Sequence, residues 1–176
     1  MTIKNFKKGL VLSRVEGFSL IEILVYISIL VFMLVIILEV VVSIVSAERI
    51  ANSTRSIDNS AVLALERITR EMRLSDNIKL TSSTLGTHPG VLVLEGEDAD
   101  GDPRTVEFYL SSGRIFLREN GVSTGALTEE GSEVTSLVFK RFATSTMEGI
   151  RTEMAIESGT STYYRTETFY SSAVKR

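Results

Sequence analysis

Few side chains in this 176-residue chain are of the types that carry catalysis. There is no cysteine, which removes disulfides, a thiolate nucleophile and cysteine-ligated metals. There is one histidine, His88, which excludes a multi-histidine metal site and leaves any serine–histidine arrangement with a single base. Serines are plentiful, but no Gly-x-Ser-x-Gly turn and no glycine-rich phosphate loop occur. His88 precedes Pro89-Gly90 and is expected in an exposed loop. The chain is therefore predicted not to be an enzyme. Two constellations remain. Asp98-Ala99-Asp100-Gly101-Asp102 places three carboxylates at alternate positions, which is a donor set for a hard cation. An EF-hand loop begun at Asp98 needs glycine sixth and glutamate twelfth; those places hold Pro103 and Tyr109, so it fails as one. A solvated acidic turn is the plainer reading. The second constellation is Glu22, a carboxylate inside an apolar run that also holds Glu39. A carboxylate at mid-membrane costs at least about 2.5–3.5 kcal/mol unless it reaches the interface or a partner.

The run that holds these acids must be a helix. Twenty-three of the 28 residues from 18 to 45 are hydrophobic, and the 16 from 23 to 38 carry no charge. A secretory h-region is about 7–15 residues and ends in a small-residue cleavage site; Ser46-Ala47-Glu48 is a poor one. A bilayer core needs about 20 apolar residues. The run is expected to span a membrane and stay in the protein. Residues 1–17 carry net charge +3 from Lys4, Lys7, Lys8 and Arg14 against Glu16, which puts them on the cytoplasmic side. Residues 46–176 carry net charge −4, so nothing suggests direct nucleic-acid binding.

The helical pattern continues past the run. Ile50, Ile57, Ala61, Leu65, Ile68 and Met72 form one apolar stripe, with Glu66, Arg67, Arg70, Glu71 and Arg73 mostly off it. Neither glycine nor proline appears from 18 to 85, which predicts one helix over about residues 18–77. Its stretch 52–60 is rich in poor helix formers and is a place to bend or fray. Strands are predicted at 91–95, 105–110, 114–118, 134–142, 152–157 and 163–170. Turns separate them at Asp100-Gly101-Asp102-Pro103, Ser112-Gly113 and Asn120-Gly121, and residues 110–114 read as a hairpin. Tyr163, Tyr164, Phe169 and Tyr170 read as sheet packing rather than a base-stacking platform. The fold class is α+β: a long N-terminal helix whose amphipathic part packs on an antiparallel sheet. The division is a basic leader at 1–17, an apolar helix at 18–45, its amphipathic continuation at 46–80 and a β domain at 81–176.

Gly17-Phe18-Ser19-Leu20-Ile21-Glu22, behind a short basic leader and opening the apolar helix, closely resembles the processing site of type IV prepilins and pseudopilins. The resemblance implies a pilin-like fold, cleavage by prepilin peptidase between Gly17 and Phe18, and N-methylation at Phe18. It implies that Glu22 pairs with the terminal amine of a neighbouring pilin or pseudopilin subunit, and so sets the stagger between subunits during assembly. The chemistry is sensible on physical grounds. Glycine offers a peptidase no side chain to clash, and an amine and a carboxylate in lipid each need a partner. Many major pilins have proline where this chain has Glu39, and the only prolines here are Pro89 and Pro103. That departure favours a minor pilin or a pseudopilin.

The segments 64–73, 105–110 and 113–118 also look like the J-type minor pseudopilins of type II secretion, mainly in strand rhythm over residues 60–157. Some pseudopilins bind calcium in a C-terminal loop, which leaves calcium at Asp98, Asp100 and Asp102 as the one cofactor reading. The function expected from the resemblance is a processed minor subunit of a type IV pilus-like or type II secretion filament. Its implied partners are prepilin peptidase, other pilin subunits, an inner-membrane assembly platform and, before assembly, membrane lipid. Its implied location is single-pass in the inner (plasma) membrane with the C-terminal domain outside the cytoplasm, then a periplasmic or surface filament. The alternative is a single-span, membrane-anchored extracellular binding or sensor domain that never enters a filament.

Overall fold

A computed structural model describes residues 17–144, 147–159 and 164–175. The leader residues 1–16, Tyr163, and parts of the loops expected at 144–146 and 158–162 lie outside them. The chain divides into two compact units, Met1–Ser43 and Ile44–Arg176.

Helix α1 runs Leu20–Leu74. Ser19 stands just before it, and its carbonyl accepts the amides of Glu22 at 3.0 Å and Ile23 at 3.2 Å. Glu22 lies in the first turn and Arg73 in the last, each complementing the partial charge of its helix end. The helix ends three residues before the expected 77. There the Ser75 hydroxyl donates to the Met72 carbonyl at 2.9 Å, and the Asp76 amide donates to Glu95 at 2.9 Å, entering the first sheet. The stretch 52–60 is helical throughout. Tertiary contacts override its weak propensity. Ile57 and Ser60 are buried, the Thr54 hydroxyl bonds back to the Ile50 carbonyl, and Ser60 Oγ lies 2.7 Å from Ser132 Oγ.

The α+β class holds, a long helix packed on antiparallel strands, and the strands divide into two meanders. The first orders β1 (Asn77–Ile78), β2 (Leu92–Glu97), β3 (Pro103–Ser111), β4 (Arg114–Glu119) and β5 (Val122–Ala126). The second orders β6 (Ser132–Ala143), β7 (Glu148–Ser158) and β8 (Arg165–Val174). Alternation in sequence reveals faces and not neighbours, so it could not divide the strands between sheets. The hairpin at 110–114 forms as expected. Ser112 and Gly113 take φ of 48° and 71°, the pair of positive values that a two-residue turn needs to match strand twist. Asn120-Gly121 repeats that geometry and launches β5, which the sequence reading missed because Val-Ser-Thr-Gly-Ala is a poor strand text. The two-residue β1 was also missed.

One core joins the helix stripe to both sheets within Ile44–Arg176. Ile57, Ala61, Ala64, Ile68 and Met72 of α1 meet Leu94, Phe108 and Ile115 of the first sheet and Leu137, Phe139, Ile150 and Met154 of the second. From Ile57 to Met72 the stripe behaves as predicted, with Leu65 only partly buried, whereas Ile50 at its start is half-buried and outside the core. The outer edge of β6 is closed by a loop. Gly86 and Gly90 donate their amides to the Phe139 and Leu137 carbonyls at 2.7 and 2.9 Å. His88 is exposed there, as expected, but its Nδ1 accepts the Leu137 amide at 3.0 Å.

Gly149 of β7 gives a sharp test of this packing. A Cβ placed there would lie 2.5 Å from Phe142 Cζ and 2.6 Å from the Ala173 carbonyl oxygen. The second neighbour is backbone and cannot swing away. Gly149→Ala is expected to destabilise the domain by about 1–3 kcal/mol, read as a lower thermal midpoint.

Candidate functional site

The apolar part of α1 is long and apolar enough to cross a membrane, and none of its most apolar window is buried within the protein. Side chains such as Leu30, Phe32 and Ile37 are more than half exposed. A continuous apolar surface of that extent is not stable in water, so lipid or other protein must cover it.

Glu22 is the one acid near the start of this surface. Its carboxylate accepts a hydrogen bond from the Tyr26 hydroxyl, Oη to Oε1 3.2 Å. The Tyr26 ring meets the Phe18 ring edge-on, with centroids 6.3 Å apart. Glu22 and Tyr26 are four apart and share one helix face, while Phe18 stands two residues before the helix and reaches Tyr26 through its ring. Tyr26 was missed by the sequence reading, although that spacing was a usable signal. Ser28 turns its hydroxyl to the Leu24 carbonyl at 2.8 Å, which removes it from the exposed polar inventory. Glu39 is exposed, further along the same helix. Gly17 is exposed, and among the described residues a side chain there would meet nothing within 4 Å.

The acidic turn is closed on itself. Asp98 Oδ1 accepts the amides of Asp100 at 2.9 Å and Asp102 at 3.0 Å, and the Asp98 amide donates to the Asp102 carbonyl at 2.9 Å. One oxygen of Asp98 is thereby spent on backbone donors. Among the described residues, no three histidine, cysteine, aspartate or glutamate side chains are grouped so as to hold a metal ion, Asp98, Asp100 and Asp102 included.

A second cluster was not expected. Glu71, placed off the stripe by the sequence reading, is buried with 3% exposure. It falls three residues after Ile68, on the inward flank. Arg104 Nη1 binds Glu71 Oε2 at 2.7 Å and Arg67 Nη2 binds Glu71 Oε1 at 3.1 Å. Both arginines also bind Glu119 Oε1, at 2.8 Å each. The four groups fasten α1 to β3 and β4. Burial works to raise the Glu119 pKa, but hydrogen bonds and charge from Arg104 and Arg67 outweigh it and hold it below the ordinary 4.5. At Arg104, burial opposes the charge, and Glu71 and Glu119 override it, so its pKa is raised. A depressed carboxylate stabilises the fold fully above its unfolded value, and that contribution fades as pH falls through the folded value. Urea midpoints are therefore expected to decline as pH drops below about 4.5, and Glu119→Gln should flatten that decline.

The C-terminal aromatics divide. Phe169 packs on the core, whereas Tyr170 is 60% exposed, with the Arg151 guanidinium 5.3 Å from its ring centroid. Tyr164, just before β8, donates to Glu157 from an exposed position.

Comparison of the chain with protein-family models, with curated proteins and with solved structures finds no match.

Proposed function

We propose that this chain is a minor pilin or pseudopilin, made as a single-span membrane precursor, cut after Gly17, N-methylated at Phe18 and assembled into a pilus-like or secretion filament. The observation that carries this reading is the pair of contacts that Tyr26 makes with Glu22 and Phe18 at the head of an exposed apolar helix, directly after an exposed glycine. Cleavage would create an amine at Phe18, at the start of the helix that carries Glu22. In an apolar environment that amine and Glu22 would each seek an opposite charge, and the exposed apolar face would pack on helices of other subunits. The α+β domain at residues 44–176 suits the reading, because its helix stripe is covered by its own sheets while residues 20–43 are left uncovered. The domain would sit outside the cytoplasm, on the side opposite the basic leader. Its work is assembly and not catalysis.

The test is the intact mass and first residue of the protein purified from membranes of cells with and without a prepilin peptidase. The expected result is a chain beginning at Phe18 with one added methyl group, found only where the peptidase is present. A chain that still begins at Met1 in competent cells would remove the reading and leave a membrane-anchored binding or sensor domain in its place.

A further inference from the structure

The second sheet has one closed edge and one open one. Loop residues Gly86, His88 and Gly90 occupy the outer edge of β6. Strand β8 pairs only with β7, over ten residues with no proline, and among the described residues no backbone partner lies on its other side. Along β8, Phe169 is packed on the core, Ser171 Oγ lies 3.2 Å from Thr69 Oγ1 of α1, and Ala173 is buried. The alternate residues Tyr170 and Ser172 are exposed. The inner face of β8 therefore looks at α1.

A strand added to the open edge would turn its inner side chains toward α1 as well. That space is an open groove of about 750 Å³. It runs along one flank of the helix and is walled by Ser171. Val62 and Leu74 line it with their side chains 59% and 58% exposed, and Leu65 adds to the apolar floor. Arg70 and Arg73 also line it. Both are exposed, and neither has an ion-pair or hydrogen-bond partner among the described residues, whereas Arg67 and Arg104 nearby each bind Glu71 and Glu119. Glu66 is the one acid in the groove, so its charge is net positive.

We infer that the open edge of β8 and the adjoining groove form a docking site for an extended segment of another polypeptide, one that adds as a strand and alternates apolar with acidic inward side chains. The backbone row of β8 supplies pairing that any extended chain can use. The groove selects the segment: apolar side chains cover Val62, Leu65 and Leu74, and carboxylates meet Arg70 and Arg73. This site lies wholly within residues 44–176 and does not depend on processing at Gly17.

The test uses the full chain in lipid nanodiscs and a fluorescent synthetic peptide repeating Val-Thr-Glu-Thr, in which one face of the strand alternates valine with glutamate, read by anisotropy. The wild-type chain should bind it, with binding weakened about tenfold or more by Arg70→Glu with Arg73→Glu. Both arginines are exposed, so the double variant should fold, and its circular dichroism should match the wild type. The same peptide with lysine for glutamate should bind about tenfold more weakly, and a version N-methylated along its backbone should not bind at all, since it cannot pair with the strand. Equal binding of the lysine or N-methylated peptide, or no binding of the glutamate peptide, overturns the inference. So does a dimer of the chain that the double variant abolishes, since the edge would then be occupied by a second copy.

Discussion

Replacing Glu71 by alanine is expected to lower the stability of the domain at residues 44–176 by about 3 kcal/mol, which is the low end of the range for breaking a buried ion pair. The low end applies because Arg104 retains 20% side-chain exposure and Glu119 can still hold it. The loss comes less from a missing attraction than from what is left behind. Arg104 would keep a partly buried guanidinium with one of its two carboxylates gone, and Arg67 would lose its partner one helical turn away. That origin can be checked. Glu71→Met combined with Arg104→Met removes both charges and keeps the volume, so it should be less destabilising than Glu71→Ala alone. Urea unfolding at neutral pH measures both. If the double variant is the worse of the two, the cluster stabilises by net attraction and the explanation fails.

On the proposed pilin reading, Glu22→Gln is expected to leave cleavage and methylation at Phe18 intact while reducing incorporation into filaments about a hundredfold. Glutamine keeps the shape and still accepts the Tyr26 hydroxyl, so the helix start should not change. What it removes is the negative charge that would neutralise a neighbour's terminal amine. An unpaired buried amine costs about 3 kcal/mol or more, which is about a hundredfold in an association constant. The measurement is the ratio of filament-associated to membrane-associated protein, with intact mass recorded on both fractions. Wild-type incorporation of the glutamine variant would show that Glu22 carries no assembly role. Loss of processing in the same variant would instead place Glu22 in peptidase recognition.

Some of this molecule is written locally and some is not. The long helix was legible because it needs only an unbroken absence of glycine and proline and an apolar pattern of helical period, both visible from 18 to 85. The 110–114 hairpin was legible because a two-residue turn with positive φ demands residues such as Ser112-Gly113. The string Gly17 to Glu22, on which the proposal rests, is contiguous and needs no tertiary structure to be seen. The failures have a common cause. Helicity through 52–60 depends on Ser132 and the core reaching Ser60 and Ile57 from far along the chain. Glu71 was assigned to solvent because its charge is local information and its partners are not. Arg104 is 33 residues away and supplies the compensation that makes burial tolerable. The division into two sheets, the closed edge of β6 and the open edge of β8 are decided by which strand finds which neighbour. The sequence by itself determined the long helix, its apolar stripe, six of the eight described strands and the string at the helix start, because those follow from periodicity and residue chemistry within a few positions. Only the tertiary structure decided which charges are buried, which sheet edge is free and which arginines are left to meet a partner, because those depend on contacts between residues distant in the chain.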